Sequence, residues 1–228
     1  MSRVEDTLIR MGKAGGADRV NVFAITSCIV ITIEFEDGKA VTQTRRNSSG
    51  TATDFLILEE LNSLSRRYCS CPCELMLLKK NIGRVKDLAH KSERLYYAGN
   101  ALAAGSFAIF FGGTILDGAV ALAVGLLLGA FQKWLSEYIS NMIIFHFICS
   151  FLLGGLVTAL SILFPSMGID KVMIGDIMLL IPGLALTNSV RDILLGDTIS
   201  GILQFVQSLL RAGAIAAGSM LSLYLWGG

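Results

Sequence analysis

The sequence predicts an α-helical membrane protein with five transmembrane helices, preceded by a small cytoplasmic α+β domain that contains a β-hairpin. The 228 residues are 53% hydrophobic with a mean hydropathy of +0.63, which is too apolar for an ordinary soluble domain. Of the 19 Lys and Arg residues, 15 lie between Arg3 and Arg94, and five apolar segments follow. We therefore predict a cytoplasmic domain over residues 1–93 and a five-span transmembrane domain over residues 94–228.

The predicted cytoplasmic domain follows from three local patterns. Apolar residues recur with helical spacing near the start, and Gly15-Gly16 ends that helix. Strict alternation then marks strands, and Asp37-Gly38 supplies the positive φ that a hairpin turn needs. The predicted elements begin with a helix over 2–14 and strands over 21–25, 28–35 and 39–46. A second helix is capped by Thr51 or Thr53, and its apolar face consists of Phe55, Leu58, Leu61 and Leu64. A third helix has Pro72 in its first turn, and its apolar face consists of Leu75, Leu78, Ile82 and Val85.

Two clusters in this domain have both a functional and a structural interpretation. Arg45 and Arg46 end the hairpin, where guanidinium groups can bind an anionic solute or lipid headgroups, but a solvated strand end beside the membrane shows the same pattern. Cys69, Cys71 and Cys73 alternate, unlike the ligands of structural zinc sites, so we interpret them as loop or packing residues and predict no metal. Gly15-Gly16 is not followed by the Lys-Ser/Thr of a Walker loop, which argues against an ATP-driven motor.

The predicted transmembrane domain consists of five apolar segments. A membrane-crossing helix needs about 20 apolar residues, which the first segment supplies without a charge and the second does not reach. The polar N-terminus lacks the apolar core of a signal peptide, and most positive residues precede the segments, so we expect the N-terminus in the cytoplasm and the C-terminus outside. The segments cover about 95–116, 118–131 (short), 141–164 (with His146), 172–190 and 199–226 (with Arg211).

The fourth segment is the most informative stretch of the chain. Residues 176–192 read DIMLLIPGLALTNSVRD, and Pro182-Gly183 interrupts an apolar run that begins at Asp176 and ends in Asn188, Arg191 and Asp192. Proline removes a backbone donor and clashes with the preceding turn, so we predict a kinked or broken helix. In hydrocarbon the released backbone groups need protein or water as partners, and transporters use such breaks to hold a solute. The alternative is a kink that only shapes packing.

Ionisable residues within the apolar segments must be paired or face water. Asp117 follows the first segment and is either a residue of a solute path or an exposed loop residue. Arg211 needs a partner, for which Asp117 and Asp176 qualify by charge. His146 can relay protons, but a lone histidine on an apolar face is more often structural.

Several short stretches form a recognisable set. They are SRVEDT at residues 2–7, the hairpin with Asp37-Gly38 and Thr44-Arg45, Phe110-Phe111-Gly112-Gly113 followed by Asp117, LLIPG at residues 179–183, and Ser200-Gly201. Together they resemble the N-terminal half of the bacterial threonine/serine exporter family over nearly the whole chain. SRVEDT and LLIPG in this order are the most specific parts of the resemblance.

The resemblance implies a subunit of a proton-coupled secondary exporter of small hydrophilic metabolites, and no enzyme activity. Five spans in place of ten imply a two-component system, in which a separate small membrane protein supplies the second half. Threonine and serine are the implied substrates, while succinate-type dicarboxylates, exported by a split-chain branch of the family, stay open. The predicted substrate-binding residues are Asp117, Asp176, Pro182, Gly183, Asn188, Arg191 and Asp192.

A membrane-anchored ligand sensor or scaffold is the alternative of another class. Five glycine-rich segments with internal acids exceed what an anchor requires, which disfavours it. An intramembrane hydrolase is disfavoured because no Gly-x-Ser-Gly pattern occurs. We expect the protein in the bacterial inner (plasma) membrane, in contact with the lipid bilayer, a metabolite and its partner subunit, with no cofactor and no nucleic acid.

Overall fold

The computed structural model describes residues 2–46, 54–87 and 93–226, which are mainly helical. The chain forms two compact units, residues 1–91 with 189–203 and residues 92–188 with 204–228. The predicted division into domains at residue 93 stays a prediction. In chain order the elements are α1 (Ser2–Ala14), β1 (Arg19–Ile25), β2 (Cys28–Glu34), β3 (Ala40–Arg46), α2 (Phe55–Ser70), α3 (Leu75–Asp87), α4 (Glu93–Phe110), α5 (Ile115–Ser136), α6 (Met142–Leu163), α7 (Ile169–Ile177), α8 (Gly183–Leu194) and α9 (Thr198–Trp226).

The first unit contains the predicted hairpin within a three-stranded antiparallel sheet of order β1-β2-β3. Strands β2 and β3 pair with Glu34 opposite Ala40, and Gly38 takes a φ of 78° in the turn, so the hairpin prediction is confirmed. The Lys39 ammonium donates a hydrogen bond of 2.7 Å to the Asp37 carboxylate, which lowers the pKa of Asp37. Helix α1 is tied to β1 because the Ala24 amide donates to the Glu5 carboxylate over 2.9 Å.

Helices α2 and α3 differ from the prediction in three ways. The cap of α2 is Asp54, whose Oδ1 accepts from the backbone amides of residues 56 and 57, so the prediction of a threonine cap is wrong; Thr51 and Thr53 lie outside the described residues. Helix α3 begins three residues after Pro72, which is therefore not in its first turn. The shared apolar face of α2 is largely exposed: Phe55 is 63% exposed, and of the predicted set only Leu64 is buried.

The first two predicted membrane segments have different boundaries in the structure. Helix α4 ends at Phe110 and not near residue 116, because Gly112 turns the chain with a φ of 87°. Thr114 then caps α5, which continues to Ser136 and has 22 residues, so the prediction that the second segment is short is wrong. Its C-terminal extension carries Gln132 and Lys133, polar residues that a helix end at a membrane surface tolerates.

Three helices in the described ranges are long and apolar enough to cross a membrane, namely α5, α6 and α9. The third and fifth predicted segments correspond to α6 and α9, which confirms them as long apolar helices. The full count of five crossings stays a prediction. The core of the second unit is built largely from small and β-branched residues, among them Ala104, Ala108, Val124, Val157 and Val172.

Candidate functional site

The predicted break in the fourth segment is confirmed. Helix α7 ends at Ile177 and α8 begins at Gly183, so residues 178–182 form a turn between two short helices. Hydrogen bonds between residues two or three apart replace the helical pattern there. The Leu180 amide donates to the Ile177 carbonyl and the Gly183 amide donates to the Ile181 carbonyl, each over 2.8 Å. Pro182 is half-buried and Gly183 is exposed. The irregular backbone of this turn suits a place that faces water or a solute.

Asp176 lies in the last turn of α7, immediately before this break, and its side chain is fully buried at 0% exposure. Neither of its carboxylate oxygens has a hydrogen-bond partner among the described residues. None of the ion pairs in those ranges involves Asp176 either. A buried carboxyl group without partners is rare, because leaving it ionised is costly.

Glycines on α5 make the room in which this carboxyl group sits. A β-carbon added at Gly125 would lie 3.3 Å from Asp176 Oδ1 and 2.7 Å from the β-carbon of Ala104 on α4. On α7, a β-carbon at Gly175 would lie 2.7 Å from the Ala104 carbonyl oxygen. The three helices therefore approach each other closely around Asp176, and larger residues at these glycines would close the space.

Asn100 on α4 carries a second buried polar atom, and the sequence analysis missed it. Its backbone carbonyl oxygen would lie 3.1 Å from a β-carbon at Gly125, and its side-chain Nδ2 would lie 2.5 Å from one at Gly129. Nδ2 is buried and has no hydrogen-bond partner among the described residues. The available signal was the spacing of Asn100 four residues before Ala104, which puts the amide on the face of α4 that packs against α5 and α7.

Asp117 is buried, not exposed in a loop, and its oxygens are used by the chain. Oδ2 accepts from the Thr114 amide and hydroxyl over 2.7 and 2.9 Å, which completes a capping box at the start of α5. Oδ1 accepts from the Gly168 amide over 2.8 Å, 51 residues away in the chain. Asp117 thus fixes the segment that leads into α7. A role in substrate binding stays a prediction.

The remaining predicted residues lie on α8 and β3. On α8, Asn188 is exposed, and the Arg191 guanidinium lies 4.0 Å from the carboxylate of Asp192, which is buried. Arg45 and Arg46 are exposed at the end of β3, opposite Ile29 and Cys28 of β2. These positions test neither the solute nor the lipid interpretation.

A histidine of α6 and a serine of α9 lie in closely packed surroundings. The Nδ1 atom of His146 lies 2.6 Å from the Met142 carbonyl oxygen, one turn earlier in α6. Ser222 on α9 is fully buried against Gly154 of α6, where small residues let the two helices approach. A groove of about 400 Å³ beside Gly155 and Trp226 is lined mainly by apolar side chains, which does not suit a hydrophilic solute.

The comparison with protein families bears on the whole chain. The model of the ThrE family, the threonine/serine exporters, matches residues 1–226. The chain belongs to this family. The match supports an exporter of small metabolites in a membrane, and a transporter in preference to an enzyme. Neither the comparison with curated proteins nor that with solved structures found a match.

Membership in an exporter family makes a functional interpretation of Asp176, Asn100, Gly125 and Gly129 more plausible than a purely structural one. Structural carboxylates in a membrane bundle are normally paired, as Asp117 is by hydrogen bonds. Asp176 has the opposite character, since it combines burial, no partner and a position next to a broken helix. We therefore call Asp176 and Asn100, together with the glycines Gly125 and Gly129 that border them, the buried polar cluster and treat it as the candidate site.

Proposed function

We propose that the chain is one subunit of a proton-coupled secondary exporter whose main substrates are threonine and serine. The observation that carries this proposal is the unpartnered Asp176 carboxyl group at the end of α7, directly before the break, in a member of an exporter family. Transporters place such groups where a solute or coupling ion passes, because an unpaired buried carboxyl group destabilises the fold and is kept only for function.

In this proposal the break between α7 and α8 borders the solute path. A zwitterionic amino acid needs a carboxylate for its ammonium group and a positive group for its carboxylate. Asp176 lies beside this path as a group for the solute or the coupling ion, while the amides at the start of α8 are suited to the carboxylate of the solute. A β-carbon at Gly183 would meet no atom within 4 Å, so the start of α8 has room for a ligand. Asp117 holds the segment before α7 in place.

We further propose five membrane crossings, formed by α4, α5, α6, the broken pair α7–α8, and α9. The N-terminus then lies in the cytoplasm of a bacterium and the C-terminus outside its inner membrane. A separate small membrane protein completes the path, as the two-component form of the family requires. The three helices long enough to cross a membrane support this arrangement for α5, α6 and α9.

The test is an efflux measurement in bacterial cells loaded with labelled threonine or serine. Deletion of the gene should slow efflux, and the restored chain should recover it only together with its partner subunit. A parallel set loaded with labelled succinate tests the dicarboxylate alternative. An export function would be rejected, and a sensor or scaffold favoured, if the efflux of all three compounds did not depend on the chain. Unchanged efflux after removal of the five apolar segments would have the same meaning.

A further inference from the structure

We propose that Asp176 is the proton-carrying group of the transporter, held in its neutral form in the buried polar cluster, and that Asn100 is the residue that positions it. This assignment rests on the proposed function for its role in coupling, but the protonation of Asp176 is a property of the chain itself. It separates Asp176 from the substrate ligands, to which sequence reasoning assigned it.

The first step of the argument is the absence of a countercharge. Asp176 lies on α7, which packs against α4, α5 and α6. An ionised carboxylate in such a place costs several kcal/mol unless it is paired, so an unpaired one is neutralised by a proton. Apart from Asp176, the titratable side chains that the structure describes on these elements are Arg94, Tyr96 and Tyr97 on α4, Asp117 and Lys133 on α5, His146 and Cys149 on α6, and Asp170 and Lys171 on α7 itself.

None of these groups neutralises Asp176. Tyr96 donates to Gln132, Asp117 is bound by Thr114 and Gly168, and His146 contacts the Met142 carbonyl. Lys171 pairs with Asp170 over 3.0 Å. In the described ranges no ion pair involves the Asp176 carboxyl group, and no group donates a hydrogen bond to it.

The second step is the position of Asp176 beside an irregular turn. The Leu179 amide donates to the backbone carbonyl of Asp176 over 3.1 Å, so the residue is part of the turn that ends α7. In the neutral form the side chain stays buried against Gly125. When the proton leaves, the carboxylate must meet water or a donor, and the turn at residues 178–182 is the irregular backbone through which this rearrangement can occur.

The third step is an unused donor one turn away along α5. Asn100 Nδ2 is buried without a partner and borders Gly129, while Asp176 Oδ1 borders Gly125. In this proposal, rotation of the two side chains within the glycine-lined space lets the amide donate to the ionised carboxylate. The step is balanced: the carboxylate takes up one proton from the outside, and releases it to the cytoplasm during export, with no other bond formed or broken.

The protonation itself is tested by infrared difference spectroscopy of the full chain in lipid bilayers at neutral pH. Exposed Asp and Glu residues have pKa values of about 4 and are ionised there, so a protonated-carboxyl C=O band reports a buried neutral acid. We expect this band in the wild type and in the control Asp170→Asn, which changes an exposed acid of the same helix. Asp176→Asn should abolish it and Asp176→Glu should shift it. The same band in Asp176→Asn would overturn the proposal.

The coupling role is tested by transport in cells that carry the partner subunit. Asp176→Asn resembles the neutral carboxyl group, so downhill exchange of labelled threonine should persist while the dependence of efflux on an imposed pH gradient is lost. Asn100→Ala should weaken that dependence, and Asp170→Asn should leave it unchanged. Pumping by Asp176→Asn at the wild-type rate, or driven by sodium, would overturn the assignment. Since the infrared band needs no transport, failure of the proposed substrate is distinguishable from failure of the proton site.

Discussion

Replacement of Gly175 by alanine tests whether α4 and α7 pack as closely as the structure shows. The new β-carbon would lie 2.7 Å from the Ala104 carbonyl oxygen and 2.9 Å from both the amide nitrogen and the β-carbon of Ala108. Carbon atoms prefer separations of about 3.5–4.0 Å, so the two helices must move apart by roughly 1 Å. The neighbours are backbone atoms and a methyl group, which cannot rotate out of the way.

The expected cost follows from two opposing terms. Overpacking of this kind costs about 1–3 kcal/mol, while alanine gains about 0.5–1 kcal/mol over glycine in a helix interior. We therefore expect Gly175→Ala to lower the free energy of unfolding by about 1 kcal/mol, within the range of about 0–2.5 kcal/mol that the two contributions span together. The matched control is Gly213→Ala in α9, where a β-carbon meets nothing within 4 Å and only the gain applies.

The assay is thermal unfolding of the full chain in one detergent, followed by the loss of the monodisperse peak in size-exclusion chromatography. We expect Gly175→Ala to melt several degrees below the wild type and Gly213→Ala to melt at or above it. If Gly175→Ala is as stable as Gly213→Ala, the close approach of α4 and α7 is wrong, and with it the space assigned to Asp176.

Three further predictions concern single groups. Asp117→Ala should lose about 2–4 kcal/mol of stability because three hydrogen bonds and a helix cap disappear, and Asp117→Asn should lose less; equal melting of Asp117→Ala and the wild type would contradict the structural role. Asn100→Ala should leave the melting temperature unchanged or raise it. It should also reduce the destabilisation caused by Gly129→Ala, with a coupling energy of about 1 kcal/mol in a double-mutant cycle. Additive effects of the two substitutions would refute the contact between Asn100 and Gly129. Arg45→Ala with Arg46→Ala should change stability by less than about 0.5 kcal/mol, since both are exposed, and sedimentation with anionic vesicles at low salt then decides whether they bind lipid.

Local sequence signals predicted the elements whose boundaries depend on one or two residues. The hairpin follows from Asp37-Gly38, and the break in the fourth segment follows from Pro182. The start of α5 was misplaced because hydropathy does not mark caps: Gly112 and Thr114 lie inside a continuous apolar run, and the turn is set by a positive φ and a capping box. The second segment was predicted to end at residue 131, but α5 continues to Ser136 because a charged residue such as Lys133 is tolerated in the last turn.

The site was predicted only in part, because burial and pairing depend on three helices that are far apart in the chain. The sequence identified Asp176 by its charge in an apolar segment, but it gave Asp117 the same weight. The structure distinguishes them: Asp117 accepts three hydrogen bonds, whereas Asp176 has no partner in the described ranges. Asn100 was missed because its spacing from Ala104 indicates a packed face of α4 only once the helices that cover this face are known.

The most direct test of the central claim is the efflux of labelled threonine and serine under an imposed pH gradient, compared between the wild type, Asp176→Asn and Asp170→Asn at equal protein level. The account predicts gradient-driven efflux in the wild type and Asp170→Asn, and efflux that ignores the gradient in Asp176→Asn. Gradient-driven efflux of equal rate in all three variants would contradict it.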